Sequence, residues 1–540
     1  MATSGSGVAN SPIGFFDRAR IVAGSGFNRW LVPPAALAIH LCIGMAYGFS
    51  VFWLPMSKLA AGGPCSGFAA SLTSTSCNWS VATVTHTFEM FIAMLGISAA
   101  IWGGWVERVG PRKSGFVAAL CWGGGLVLGG IGVSVHQLWL VFAGCGFIGG
   151  IGQGLGYITP VSTLIKWFPD RRGMATGFAI MGYGGGAMIG APLAVWLMAR
   201  FANGGVPGVA PTLMAMGVIY FIAMSLGAFG FRAPPSGWKP ANWQPPATTN
   251  RMITSSHIHA DRVWRIPQFW LLWGVLCMNV TAGIAVISMA SPMLQEVFGA
   301  RLLGLGVHTA LDTAQKAAIV AAAAGLVGLI SLFNSVGRIF WASISDHLGR
   351  KNTYFVFFLL GMVLYALLPI WGHLGLATLF VASVCIILTM YGGGFATVPA
   401  YLADIFGTQM VGAIHGRLIT AWSVAGVIGP ALIAGLRDAE LAHGVSKSLV
   451  YDDTLYLMAG LLFLGLLCNF FVTPLRSHHF MSDAELAEER ARQQEHVFAS
   501  DAQAAARGSF GLSGAVAWAS VGIPFTVGLF IALQKAAALF

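Results

Sequence analysis

Charge is what this chain has least of. Only 9% of its 540 residues are Asp, Glu, Lys or Arg, against 56% hydrophobic ones, and the mean hydropathy is +0.75. Soluble domains carry about 25% charged residues, so the composition excludes one and predicts a polytopic membrane protein. Long polar segments are scarce too: the longest are 231–268 and 475–509, too short for a sensor's signalling domain. No metal cluster, nucleophile constellation or phosphate loop supports an enzyme, and neither a cofactor nor a metal is expected. The run GCGFIG (144–149) has dinucleotide-fingerprint spacing, but it lies inside an apolar segment with no strand before it. A signal peptide is also missing. Residues 1–28 are polar and Gly/Ser-rich, and the apolar run from Leu31 lacks a small-residue cleavage site, so it is expected to stay as a first helix.

What is present is a series of apolar runs. Helices are expected near 31–56, 81–106, 114–133, 138–165, 173–198 and 212–231, then near 268–291, 317–344, 353–371, 376–402, 418–436 and 454–474. One more is expected near 510–536. The organisation predicted is an N-tail (1–30), a six-helix bundle (31–231), a linker (232–267), a second six-helix bundle (268–474), a tail (475–509) and an additional transmembrane helix (510–540). The linker is rich in Pro and polar residues, as a connector should be.

The net charge of +10 follows this topology. Of the 29 Lys and Arg, 21 lie on the N-tail, alternate loops and C-tail, and 7 on the opposite loops and far C-terminus. This positive-inside asymmetry predicts a cytoplasmic N-terminus, tails and linker, and a periplasmic C-terminus, in a bacterial inner membrane. The lipid bilayer is then the expected partner and nucleic acid is not. Six of the eight Cys fall within expected helices, where they read as small apolar residues. Cys65 and Cys77 share the first external loop, and either a disulfide or two free thiols fits there.

The two halves repeat each other. Glu107, Gly110, Pro160 and Gly190 correspond to Asp346, Gly349, Pro399 and Gly429 at one constant shift of 239 residues. Duplicated halves around a midplane site are a transporter signature. The loop GGWVERVGPRK (103–113) resembles the cytoplasmic signature of the major facilitator superfamily, carried by Gly103, Glu107, Arg108, Gly110, Arg112 and Lys113. A weaker copy, WASISDHLGRK (341–351), carries Asp346, Gly349, Arg350 and Lys351. The stretches YGFSVFWLP (47–55), GQGLGYITPVSTLIKWFPDRRGMATG (152–177), PPSGWKP (234–240) and GAIHGRLITAWSVAGVIGP (412–430) resemble the oxalate/formate antiporter family more narrowly. The resemblance implies an all-α polytopic fold, with two six-helix bundles related by a pseudo-two-fold, and gating roles for the signature residues.

One residue decides the functional reading. Arg338, in SLFNSVGRIFWASISD, lies about 12 Å inside Asp346 along a membrane helix, where an arginine costs roughly 2.5 kcal/mol or more. Snorkelling or a structural contact explains it blandly; pairing with a carboxylate in a central cavity explains it functionally. In the oxalate transporter a basic residue of the eighth helix binds substrate, and Asn334 to Arg338 falls at that place. That carrier has a second cation, a Lys in the eleventh helix, where Trp422 stands here. The monocarboxylate transporters, which this helix resembles more distantly, place an Asp where Asn334 stands. One buried cation balances one carboxylate, so a monocarboxylate is favoured over oxalate. Tyr47, Tyr157, Tyr183 and Tyr391, with Phe395 and Trp422, match the places of the family's aromatic cage.

Glu89, with His86 one turn earlier, is the candidate for proton coupling; a permanent salt bridge to Arg338 and a water-facing position are its alternatives. His40 is a weaker candidate, since a lone intramembrane His more often bonds a neighbouring helix. The leading expectation is a secondary transporter of small organic anions, an antiporter or proton symporter working by alternating access. An oxalate/formate-type exchanger and a drug or sugar exporter are the alternatives. The apolar run 512–540 departs from the family and is expected to span; it resembles a one-helix accessory protein sometimes encoded beside such transporters, and a peripheral or oligomer-contact helix is the alternative.

Overall fold

The computed structural model describes residues 14–24, 26–56, 59, 63, 65–203, 208–235, 238–241, 243, 252–306, 311–494 and 511–536. Residues 1–13 of the expected N-tail, part of the linker and residues 495–510 lie outside the described residues. Among those described there is no strand, only an isolated bridge between Val22 and Ala233. The long helices are α1 (Arg29–Phe49), α2 (Val81–Val109), α3 (Pro111–Ser134), α4 (Leu138–Trp167), α5 (Arg172–Arg200) and α6 (Val209–Gly230). The second set is α7 (Pro267–Phe298), α8 (Thr313–Leu348), α9 (Arg350–His373), α10 (Ala377–Phe406), α11 (Val411–Ala442) and α12 (Asp452–Phe471), followed by α13 (Gly511–Ala536). Twelve helices among the described residues are long and apolar enough to cross a membrane. Helix α8 runs for 36 residues, longer at both ends than its apolar pattern indicates, because Asp312 and Gln315 form a capping box at its start.

Helix ends are placed by local chemistry. Gly110 (φ 81°) ends α2 and Gly349 (φ 86°) ends α8, a conformation that L side chains resist. Both precede a new helix and are related by the 239-residue shift. Helix α1 is not uniform: from Gly44 to Phe52 it tightens into a 3-10 stretch, and Phe142–Ile148 of α4 widens into a π stretch. Such irregular turns cluster at functional sites.

Close approach of backbones sets the interior. A Cβ on Gly44 would lie 2.4 Å from the Tyr183 carbonyl oxygen, so α1 and α5 touch where each carries a cage tyrosine. A Cβ on Gly392 would lie 2.2 Å from the Asn334 carbonyl, which seats α10 against the Arg338 turn of α8. The first six long helices pack on one another, as do the next six, and the halves meet along α2 with α11 and α5 with α8. Cys65 and Cys77 are joined by a disulfide.

Helix α13 lies on α1, α5 and α8. The Trp518 indole donates to the Trp30 carbonyl at 3.0 Å and meets the Phe178 ring at 6.1 Å. Phe525 covers Gly185, and Gly528 sits against Met188. These three α5–α13 contacts share one register, so the helices run parallel. The outer face of α13, with Leu512, Val516, Ile523, Val527 and Phe530, is left exposed as a lipid-facing helix would be.

Candidate functional site

Arg338 is completely buried. Its Nε donates to Asn334 Oδ1 at 3.2 Å, one turn earlier on α8. Its Nη1 donates at 3.0 Å to the carbonyl of Ile180 on α5, in the other half. Its Nη2 has no hydrogen-bond partner among the described residues. The guanidinium carbon lies 5.4 Å from the Phe395 ring centre and 5.9 Å from that of Tyr183. A buried guanidinium with a neutral neighbourhood and an orphaned arm is costly unless an acceptor completes it.

The aromatic residues converge on the same place. Tyr183 lies 5.2 Å from both Tyr47 and Trp422, 5.6 Å from Tyr157, and Trp422 lies 4.7 Å from Phe395 (ring centres). Phe395 lies 5.3 Å from Tyr391, whose hydroxyl is 3.2 Å from that of Tyr47. The six rings come from α1, α4, α5, α10 and α11, and so from both halves. Tyr183 and Trp422, in edge-to-face contact, are related by the 239-residue shift. The Tyr157 and Tyr183 hydroxyls and the Trp422 Nε1 are buried without a hydrogen-bond partner among the described residues. With Arg338 Nη2, four unpaired donor groups therefore belong to this one cluster of side chains. Buried donors are normally satisfied, and a cluster of exceptions is what an anion site looks like before its ligand is added.

Of the proton-coupling candidates, Glu89 lies away from the cage and His40 lies against it, 5.4 Å from the Tyr157 ring and 6.5 Å from that of Tyr183. Glu89 is half exposed and paired with His86 Nδ1 at 2.9 Å; no contact brings it to Arg338. His40 is fully buried, with Nδ1 against the Ala179 carbonyl and Nε2 3.2 Å from that of Tyr157. A neutral imidazole has one N–H and donates it to one of these carbonyls, which ties α1 to a neighbouring helix, the position commonest for a lone intramembrane His.

On the side of the signature loops the halves are locked by a symmetric pair of contacts. Glu107, at the end of α2, accepts from the Gly412 N–H at 2.9 Å, from Ser162 Oγ at 2.8 Å and from Lys166. Asp346, at the end of α8, accepts from the Gly173 and Met174 N–H groups at 2.9 and 3.0 Å, and from Arg350. Gly173 and Gly412 are themselves related by the 239-residue shift, so each acid caps the N-terminus of a helix in the opposite half. The other signature cations do not cross the seam. Arg108 bonds Gly104 of its own helix, Arg112 bonds Phe15, and Lys351 holds the Phe470 and Val472 carbonyls.

Sequence reasoning missed two members of this lock. Arg172 pairs with Asp404 at 3.0 Å across the seam, and Arg350 reaches the same carboxylate. The motif WFPDRRG held Arg172, but nothing in the sequence pointed it at α10. Beneath the lock lies a cavity of about 690 Å³, lined by Arg172, His257, Asp346, Arg350 and Asp404 among others. Burial pushes the His257 imidazole down to about 4, so it adds no charge there at neutral pH. Asp346→Asn keeps one acceptor but loses the charge that holds two helix N–H groups and Arg350. We expect it to cost about 0.5–2 kcal/mol of stability, read as a lower Tm in thermal unfolding.

Comparison with known proteins agrees with this architecture. The sequence pattern of the Major Facilitator Superfamily matches residues 36–430. The oxalate:formate antiporter of Oxalobacter formigenes is 30% identical over 419 residues, 76% of this chain and 85% of that protein. Apicoplast pyruvate carrier 1 of Toxoplasma gondii is 24% identical over 382 residues, 62% of this chain and 64% of the carrier. Among solved structures, the proton:xylose symporter XylE superposes with a TM-score of 0.56 at 14% identity, over 82% of this chain and 96% of that one.

Proposed function

This chain belongs to the major facilitator superfamily, and on that premise we propose that it is a secondary transporter of small monocarboxylate anions. The observation that carries the reading is the set of buried donors without partners: Arg338 Nη2, the Tyr157 and Tyr183 hydroxyls and Trp422 Nε1. A carboxylate offers four lone-pair sites and one charge. One oxygen takes Arg338 Nη2, and the tyrosine hydroxyls and the indole close around the other. Tyr47, Tyr391 and Phe395 wall the cage, and Asn334 holds the guanidinium in place.

Transport follows from the site's position between the halves. The anion enters from the side bearing the Cys65–Cys77 disulfide while the Glu107 and Asp346 locks are closed. Breaking these locks and closing the opposite side exposes the same cage to the signature-loop side. The disulfide and the loop charges support placing that side in the cytoplasm and the opposite loops outside. The bundles proposed are 31–231 and 268–474, joined by the linker 232–267.

A second reading, oxalate/formate exchange, draws on the 30% identity to the Oxalobacter antiporter. Trp422 weighs against it, because a dianion facing Arg338 alone would be half neutralised. The experiment is uptake of labelled formate, acetate, lactate and oxalate by proteoliposomes, each with and without an inward proton gradient. Saturable uptake of a monocarboxylate with oxalate excluded is the expected result. Oxalate exchange as fast as that of any monocarboxylate overturns the monocarboxylate assignment, and no anion uptake at all overturns the transport reading.

A further inference from the structure

A buried imidazole lies just beyond the cage. His415, on the first turns of α11, is 1% exposed, and neither ring nitrogen has a hydrogen-bond partner among the described residues. Its ring centre is 5.8 Å from that of Tyr157, whose own hydroxyl is unpaired. It stands seven residues before Trp422, two helical turns and so on the same face of α11.

The pseudo-symmetry explains why this imidazole is left over. Its counterpart under the 239-residue shift is Thr176, whose hydroxyl crosses the seam to the Ala396 carbonyl at 2.6 Å. Ala396 corresponds in turn to Tyr157. By symmetry His415 would bond the Tyr157 carbonyl, but the His40 ring already stands at that oxygen, its Nε2 3.2 Å away. The first half spends its seam contact on packing; the second half leaves a dry, titratable ring beside the cage.

No acid is poised to serve it instead. The titratable groups around it are Tyr157 of α4 and His40 of α1, the latter tied to backbone. Helix α2 brings Glu107 to Gly412, where Ser162 and Lys166 also engage it. Helix α10 brings Asp404, held by Arg172 and Arg350, and the turn Ala260–Arg265 brings Asp261 to Arg417. Helix α7 carries Cys277 and Glu296, the latter bound to Arg437 and Tyr451.

We propose that His415 is the proton-binding site of a proton-coupled anion cycle, an inference that rests on the anion-transport reading above. With the cage unfilled, burial disfavours a charge on the ring, and the imidazole stays neutral. A carboxylate accepting from the Tyr157 hydroxyl brings a negative charge to the residue beside His415 and favours its charged form. A proton entering from water with the anion then forms an N–H bond on the free imidazole nitrogen, whose partner nitrogen already carries its hydrogen. When the site opens to the other side the anion leaves, the charged ring loses its counter-charge, and that N–H bond breaks as the proton passes to water. One anion and one proton move per cycle, so the cycle as a whole carries no net charge and the membrane potential neither drives nor opposes it.

The test uses the full-length protein in proteoliposomes enclosing a pH-sensitive dye, with labelled lactate and formate as probes. The wild type is expected to bring in one proton per monocarboxylate, with uptake accelerated at least tenfold by an inward proton gradient. His415→Gln and His415→Asn are expected to lose that acceleration and the dye signal, while anion exchange at equal pH continues at a slower rate. Anion uptake by the wild type without proton movement overturns the proposal, as does gradient-driven uptake that survives in either variant. The wild-type stoichiometry decides the matter even if neither variant folds. Absence of any anion transport in the wild type overturns the transport reading and this proposal with it, and only that outcome touches both.

Discussion

Arg338→Gln is expected to lower monocarboxylate uptake by at least about thirtyfold. Removing one partner of a buried, hydrogen-bonded charge pair costs roughly 2–5 kcal/mol, and every 1.4 kcal/mol is tenfold. The variant is also expected to be no less stable than the wild type. Without substrate, Arg338 is a buried cation with neutral acceptors on two arms and nothing on the third. Glutamine removes that charge and retains a donor for Asn334. If Arg338 were instead a strut between α8 and α5, its loss would leave the Ile180 carbonyl unsatisfied and lower the Tm by several degrees. Uptake and thermal unfolding measured on one preparation separate the two roles. Arg338→Lys keeps the charge but not the fork, and recovery to within about tenfold of wild type is the most it should achieve.

Trp422→Lys is expected to change what the cage accepts. Trp422 touches Tyr47, Tyr157, Tyr183 and Phe395, so an ammonium in its place would sit among the same rings that surround Arg338. Two cations side by side suit a dianion. Oxalate uptake, which the monocarboxylate proposal excludes for the wild type, is expected to appear, and monocarboxylate uptake to fall by about tenfold or more. The unliganded variant should be less stable, since a second intramembrane cation costs roughly 2.5–3.5 kcal/mol. Oxalate at a hundred times its Kd should return about 2.7 kcal/mol, a thermal shift the wild type does not show. A variant that still prefers monocarboxylates would mean that cage volume, not charge, sets selectivity.

Several features were legible in the sequence because they depend on local composition. Apolar runs of membrane length set the helices, and Gly110 and Gly349 set two of their ends. The constant shift of 239 residues announced the two-fold relation that later organised the Glu107–Gly412 and Asp346–Gly173 contacts. Arg338 stood out because a charge in an apolar run is expensive wherever it points. The cage aromatics were placed by resemblance to a family, since rings are common in membrane helices and their spacing within one helix does not reveal which of them meet.

Other features depended on distances between helices remote in sequence. Asp404 carries no local mark of its pairing with Arg172, which sits 232 residues away. Glu89 and His415 illustrate the same limit from opposite sides. In the sequence Glu89 is the conspicuous acid, yet the fold turns it toward His86 and half into the open. His415 sits unremarked in a loop-like stretch, yet the fold buries it beside Tyr157 with both nitrogens unpaired. What the amino-acid sequence determined by itself was the set of spans, their duplication and the presence of one unexplained cation. Hydropathy, helix period and charge cost act over a few turns of one chain segment. Which donors are left without partners was decided only by the tertiary structure. That depends on which carbonyl each polar group reaches first, and His40 reaches the Tyr157 oxygen that His415 would otherwise hold.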